Sequence, residues 1–293
     1  MVGDMAEELN LKQVARSLDV HYMTVYRYVR SGRLPARREG ALWLVADADL
    51  ENFRSGYPVR QAGGLATSGL DVTTTDRVER LRSRLLVGDE TGAWSAVEAA
   101  LFAGWEPERV LVDLISEAVR RIDRDDGAAA GHLAVATATR MVVLVGARFR
   151  RRGRSRGTVV LGSPLGEGHT LGLAVVADVL RLRNIAVLDL GGGVPPEAFA
   201  AACEMPERLV AVALGVTTVE CLDAVGPVAA AIGDVRPDVA ILVGGRAVAN
   251  PEIAELNGGT AWAPDALTMA SLVETLLPVP RARPAVGSSD ARP

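Results

Sequence analysis

The chain is poor in several things. Of its 293 residues only two are cysteine, Cys203 and Cys221, and only three are histidine. That excludes a disulfide framework and a zinc-finger spacing. Aromatic residues make up 4% although hydrophobic residues reach 49%, so the cores must rest on Ala, Val and Leu. Such a balance suits helices and buried parallel strands better than an aromatic-rich β-sandwich. A basic excess is also missing. The formal charge of −4 excludes a globally basic nucleic-acid binder but leaves room for a small basic module on an acidic body. No apolar stretch runs to about 18 residues without interruption, and the opening MVGDMAEELN has no signal-peptide profile. These absences predict a soluble, cytoplasmic protein without membrane contact. At roughly 100–200 residues per domain, the length predicts two or three units.

What is present divides by punctuation. Residues 1–55 hold one dense, patterned unit. Residues 56–75 are rich in Gly, Ser and Thr without sustained period and read as a flexible linker. From 76 to 153 every segment has apolar residues three and four apart, as in Val78, Leu81 and Leu85, then Val97 and Leu101, then Val110, Leu111, Leu114 and Ile115. Breaks at Gly88, at Gly104 with Pro107, and at Asp123 to Gly127 predict four helices in an antiparallel bundle, with Trp94 and Trp105 as core anchors. The Arg-rich stretch Arg148 to Arg156 reads as a solvated connection. From 154 to 278 apolar runs alternate with amphipathic ones: Thr158–Gly162, Leu171–Leu182, Ala186–Leu190, Pro196–Ala202, Val210–Gly215, Ala224–Ile232 and Val239–Val243. That is βαβα repeated, a doubly wound, Rossmann-like parallel sheet covered on both faces. The Pro-rich tail 279–293 is predicted to be disordered.

The N-terminal unit carries nested signals. Asn10 with Gln13 is a capping-box pair opening a helix whose buried stripe is Leu11, Val14, Ala15 and Leu18. A turn near Asp19 leads to a second helix from about His21 to Ser31, stopped by Gly32. Its inner face is Val25, Tyr28 and Val29; its outer face offers His21, Tyr22, Thr24, Arg27 and Arg30. Leu34–Arg37 and Leu42–Val45 flank a Glu39-Gly40 turn, a short hairpin wing. Between Asn10 and Val45 stand Lys12, Arg16, Arg27, Arg30, Arg33, Arg37 and Arg38 against only Asp19 and Glu39. Such a local excess suits phosphate contacts, while helix side chains reach base edges in the major groove. In its spacing of second helix, glycine stop and wing, TVYRYVRSGRLPARREGALWLV resembles the excisionase/MerR-type winged helix-turn-helix family. The resemblance implies double-stranded DNA as partner, contacted by Arg16, His21, Tyr22, Thr24, Arg27, Arg30, Arg37 and Arg38.

In the C-terminal unit, a strand ending at Gly162 is followed by Glu167-Gly168-His169-Thr170-Leu171-Gly172, and a helix begins near Leu171. Ligands of open α/β sheets sit at the carboxyl ends of strands, which puts His169 on the ligand-facing loop. The segment resembles the cobalamin-binding domain family, whose signature is Asp/Glu-x-His-x-x-Gly. The resemblance implies that His169 is the lower axial ligand of cobalt, Glu167 holds its other nitrogen, and Gly172 leaves room for the corrin. It also implies a hydroxyl residue after the third strand and a glycine pair after the fourth, lining a slot for the displaced nucleotide tail. Gly215 stands where serine is expected, so Thr217 or Thr218 is expected to supply the hydroxyl; Gly244 and Gly245 match the pair, and Gly191 belongs to the loop after the second strand. The Gly191–Gly193 run has neither GxGxxG spacing nor the Lys-Ser/Thr of a phosphate loop.

Winged helix, four-helix bundle and cobalamin domain, in that order, is the arrangement of CarH/LitR-type photoregulators. In that family the bundle caps the upper face of adenosylcobalamin with Trp-x9-Glu-His, and light disassembles an oligomer bound to DNA. Here the histidine is His132, but Arg121 stands for the tryptophan and Gly131 for the glutamate. The resemblance thus implies a non-enzymatic transcription regulator. Its homo-oligomeric state and DNA affinity would be controlled by a bound cobalamin, with adenosyl-specific light sensing in doubt. Two alternatives remain: the same scaffold sensing another small molecule or a protein partner, and a corrinoid carrier subunit of a methyltransferase or mutase.

Overall fold

The computed structural model describes residues 8–18, 25–26, 28–29, 34–39, 42–54, 73–149 and 153–278. The chain divides into two compact units, 1–137 and 138–293. The proposed second-helix contacts His21, Tyr22, Thr24, Arg27 and Arg30, most of the linker and the 279–293 tail lie outside the described residues.

In the first unit, β1 (Glu8–Asn10) runs into α1 (Leu11–Ser17). Asn10 caps that helix by accepting from the amides of Lys12 and Gln13, while Gln13 returns a bond to the Asn10 amide at 2.9 Å, the reciprocal capping box the sequence predicts. The wing is β2 (Arg37–Glu39) paired antiparallel with β3 (Leu42–Ala46). β1 joins the far side of β3, so the sheet order is β1-β3-β2. That third strand has too few residues to show a period of two. Leu11, Val14, Ala15, Val25, Val29, Leu34, Val45 and Leu50 form the core, and α2 (Asp47–Arg54) closes it. Tyr28 stacks at a tilt on Phe53, with ring centroids 4.9 Å apart.

From 73 to 149 the described chain is helical: α3 (Thr74–Leu86), α4 (Glu90–Phe102), a run over 107–120 designated α5, and α6 (Ala128–Phe149). The chain turns at Gly88, Gly104 and Gly127, all with positive φ. The middle of α5, Val110–Ser116, is π-helical, and it buries Val110, Leu111, Val112, Leu114 and Ile115 together. Trp94 and Trp105 are only half-buried rather than core anchors; Arg109 lies over the Trp105 ring at 4.7 Å, so that indole serves a surface cation. By length and composition α6 is apolar enough to cross a membrane. Its buried residues Ala134, Ala138, Met141, Val142 and Val145 fall three and four apart, the stripe of a helix packed on one side.

The second unit contains a five-stranded parallel sheet in the order β5-β4-β6-β7-β8. Its strands are β4 (Thr158–Gly162), β5 (Ala186–Asp189), β6 (Leu209–Gly215), β7 (Ala240–Gly244) and β8 (Ala261–Ala263). The helices between them are α7 (Leu171–Leu182), α8 (Pro196–Glu204), α9 (Val225–Val235), α10 (Pro251–Leu256) and α11 (Ala266–Thr275). Phe199, Ala202 and Cys203 of α8 with Val225, Val228 and Ile232 of α9 bury one core against Val160, Val212, Leu214 and Val243. Leu173, Ala177 and Leu180 of α7 and Met269, Ala270 and Val273 of α11 are buried as well. Because β5 lies on one side of β4 and β6 on the other, the winding reverses between β4 and β6. A crevice at the carboxyl ends of these two strands is where such sheets take ligands.

Candidate functional site

The loops leaving β4 and β6 meet at this switch point, tied together by Glu167. Its carboxylate is fully buried, whereas the His169 side chain is 65% exposed. One oxygen, Oε1, accepts from the His169 amide at 2.9 Å and lies 2.6 Å from His169 Nδ1. The other, Oε2, accepts from the amides of Thr217 at 2.7 Å and Thr218 at 2.8 Å. Burial pushes the Glu167 carboxyl upward, but the bonds from His169, Thr218 and Thr217 outweigh it and hold the group down at about 2. An ionised carboxylate only accepts, so Nδ1 carries the proton. In the neutral ring the lone pair is then on Nε2, turned away from Glu167. Thr218 Oγ1, 3.5 Å from Nδ1, is too distant to compete.

Three glycines in these loops have open space beside them. A Cβ built on Gly168, Gly172 or Gly191 would meet no atom within 4 Å. The Gly191 loop is fixed from below: its amide donates to Asp189 Oδ1 at 3.0 Å, its carbonyl accepts from the Ser163 amide at 2.9 Å, and the Gly193 amide donates to the Glu167 carbonyl at 2.8 Å. A single exposed imidazole, oriented through one nitrogen by a buried carboxylate, leaves its other nitrogen able to ligate a metal. Among the described residues no cluster of three His, Cys, Asp or Glu could hold an ion by itself, so a metal bound by His169 would bring most of its ligands with it.

The other predicted residues fall differently. Thr217 and Thr218 contribute backbone amides to Glu167. Gly244 and Gly245 are packing positions: a Cβ on Gly244 would strike the Ala263 carbonyl at 2.5 Å, and one on Gly245, at φ +110°, would run into the Val216 backbone. Gly215 has a neighbour the sequence did not announce. The hydroxyl of Ser163, the residue just after β4, is wholly buried and has no hydrogen-bond partner. It lies 3.3 Å from where a Gly215 Cβ would be. The available signal was a lone serine between a buried strand and Pro164.

In the first unit His132 is exposed near the start of α6, and a Cβ on Gly131 would meet nothing within 4 Å. Arg121, standing in the tryptophan position, is paired with Glu117 at 2.8 Å. Its carbonyl accepts from Arg82 Nε at 3.1 Å, and Arg82 also grips Asp126 through both carboxylate oxygens. Charged pairs thus occupy the corner where the resemblance places an aromatic ring. In the basic module Arg16 and Arg38 are exposed, while Arg37 forms a two-pronged pair with Glu8 of β1 at 2.7 and 2.6 Å.

Comparison with known proteins separates the two ends. Residues 8–56 match the helix-turn-helix domain family. No curated protein matches the chain. Among solved structures, the chain is similar to the Methanosarcina barkeri monomethylamine corrinoid protein, with a TM-score of 0.60 and 15% identity over 69% of this chain and 100% of that one. The methanol:cobalamin methyltransferase complex MtaBC from Methanosarcina barkeri scores 0.40 at 17% identity, over 79% of this chain and 92% of that one. A cobalamin-binding protein from Desulfitobacterium hafniense DCB-2 also scores 0.40, at 15% identity, over 69% and 98%. The chain therefore combines an N-terminal helix-turn-helix domain with helical segments and a parallel-sheet α/β domain of the fold seen in the monomethylamine corrinoid protein.

Proposed function

We propose that the protein is a DNA-binding transcription regulator of the CarH/LitR type, whose sheet domain takes a cobalamin through His169. The observation carrying this reading is the Glu167–His169 pair at 2.6 Å, with Glu167 buried, the imidazole largely exposed, and open space beside Gly168, Gly172 and Gly191. Cobalamin would supply a cobalt ion already held by a macrocycle, and His169 is the residue that would hold that ion. Glu167 fixes the tautomer and raises the basicity of the ring. Gly168, Gly172 and Gly191 leave the area beside it free of side chains. The cofactor site is non-enzymatic in this reading: it controls self-association, and joining several small winged helices raises DNA affinity without any new contact to bases. Arg121 and Gly131, in place of an aromatic ring and a carboxylate, favour a response to cofactor occupancy over an adenosyl-specific response to light.

The test is a dark absorption spectrum after incubation with hydroxo-, methyl- or adenosylcobalamin and desalting, beside His169→Ala. Retention of a corrin whose spectrum changes in the variant is expected, and illumination of the same sample reads out any light response. Retention of none of the three forms would overturn the cofactor reading. Likeness to a corrinoid protein supports a second reading, a corrinoid carrier; it predicts corrin retention with no affinity for duplex DNA, whereas the regulator binds both.

A further inference from the structure

Residues 148–156 hold six arginines and no acidic residue, and the last of them are built into the sheet domain rather than standing off as a solvated connection. Asn184, at φ +61° just past the end of α7, is the anchor. Its side-chain amide donates to the Arg154 carbonyl at 3.0 Å, and its own carbonyl accepts from the Arg156 amide at 2.9 Å. The Ala186 amide then donates to the Gly157 carbonyl and the Thr158 amide to the Arg208 carbonyl, both at 2.9 Å. Arg154, Arg156 and Arg208 therefore stand along one edge, at the amino ends of β4, β5 and β6, and all three are exposed. Arg183 joins them through Glu274 of α11, whose two oxygens take Arg156 at 2.6 Å and Arg183 at 3.0 Å. The bond from Arg156 above all, with Arg183 adding to it against the opposing effect of burial, holds the Glu274 carboxyl below its usual range. One negative charge thus sits between two positive ones. Arg154 and Arg208 have no ion-pair partner among the described residues. Acidic side chains return at Glu207 beside Arg208 and toward β7, where Asp234 and Asp238 precede the strand.

We infer that this edge is a second contact surface for duplex DNA, on which Arg154, Arg156, Arg183 and Arg208 hold backbone phosphates outside the helix-turn-helix domain. The inference rests on the DNA-binding part of the reading above and needs no cofactor. Phosphate fits the edge on three grounds. Guanidinium groups pair with phosphate oxygens through two parallel bonds and stay charged at physiological pH. Backbone bonds already fix where these cations stand, so little further ordering opposes binding. A duplex held by residues 8–56 is tethered to the sheet domain through the same chain, which raises its effective concentration at the edge. An acidic protein, the other class of partner for a cationic edge, gains nothing from that tether. The edge lies at the amino ends of the strands and His169 at the carboxyl ends, so DNA and a ligand of His169 do not compete for one face. Contacts of this kind add affinity without reading sequence.

The experiment follows binding of the full chain to a long mixed-sequence duplex by fluorescence anisotropy across a salt series. Wild type is compared with the double variant Arg154→Ala, Arg208→Ala and with Glu274→Gln. The double variant should lower the slope of log K against log salt by about 2. Between about 50 and 200 mM salt the wild type then loses about tenfold more affinity than the variant. Both arginines bond to the fold only through their backbones, so the double variant should keep the wild-type urea midpoint. Glu274→Gln removes the charge between Arg156 and Arg183 and should act the other way, tightening binding and steepening the slope by about 1. A damaged fold does not tighten DNA binding, so the second variant separates phosphate contact from a merely structural role. An unchanged slope in the double variant, or weaker binding by Glu274→Gln, overturns the assignment. A slope that still falls in Arg16→Ala, Arg38→Ala would then leave the helix-turn-helix contact standing. A wild-type chain with no affinity for the duplex overturns both readings.

Discussion

At the residue scale, Glu167 ties the site together through one side chain. Four donors converge on one buried carboxylate, joining two loops 50 residues apart in sequence. Its native value of about 2 against an ordinary 4.5 means that ionised Glu167 favours the folded state. The stabilisation, on the order of 3 kcal/mol, is complete above pH 4.5 and disappears as the pH falls through about 2. Glu167→Gln should remove this pH dependence. It should also destabilise the domain at neutral pH by about 2–4 kcal/mol, because an amide NH2 would face backbone N–H donors. Urea unfolding at pH 7 and pH 3 reads both effects; equal losses at the two pH values would show that the carboxylate's charge is not what holds the loops. The motif alone announced that Glu167 and His169 belong together. It could not announce the amides of Thr217 and Thr218, since which loop a buried carboxylate meets depends on strand order.

At the element scale, glycine decides how closely the pieces approach. Gly245 begins the turn after β7, and Val216 closes on it: the Val216 amide donates to the Gly244 carbonyl at 2.8 Å. With φ at +110° and the Val216 backbone where a Cβ would stand, Gly245→Ala combines strained dihedrals with a clash against atoms that cannot swing away. The expected cost is about 2–4 kcal/mol, read as a lower urea midpoint with unchanged slope. An unchanged midpoint would mean that the β6 and β7 loops can part without loss of stability. A second close approach fixes α6 to α7: Gly146 lies directly against the buried carboxylate of Asp178, which is paired with Arg181 at 3.0 Å. The strand and helix pattern from Thr158 to Gly244 was legible because continuous Val, Ile and Leu runs and 3.6-residue stripes both occur there. β8 was not legible; three residues of Ala-Trp-Ala carry no period.

At the scale of the whole molecule, the acidic chain concentrates cations in its N-terminal module. Arg16 and Arg38 are exposed, and Arg37 is paired with Glu8. Replacing Arg16 and Arg38 together with alanine should weaken binding to a mixed-sequence duplex. It should also lower the slope of log K against log salt by about 2, one for each phosphate no longer neutralised. Fluorescence anisotropy across a salt series measures this; an unchanged slope would remove these two residues from the interface. A single winged helix covers only about 600–1,000 Å² of protein surface on DNA, so the proposed control of self-association by the cofactor predicts a steeper dependence of DNA binding on protein concentration when cobalamin is added; an unchanged dependence would count against it.

The kinds of element, the capping box at Asn10, the basic module and the pairing of a carboxylate with a histidine two residues on can all be read from the order of residues. All of these are local: they depend on periodicity, on turn chemistry and on side chains within a few residues of each other. Tertiary structure decided the rest. Only the order β5-β4-β6-β7-β8 brings the loop of His169 to that of Thr217. It turns Gly244 and Gly245 into packing positions and leaves the hydroxyl of Ser163 without a partner beside Gly215. Whether a glycine opens a space or merely permits a close approach depends on what stands opposite it, and the neighbours opposite come from strands tens of residues away.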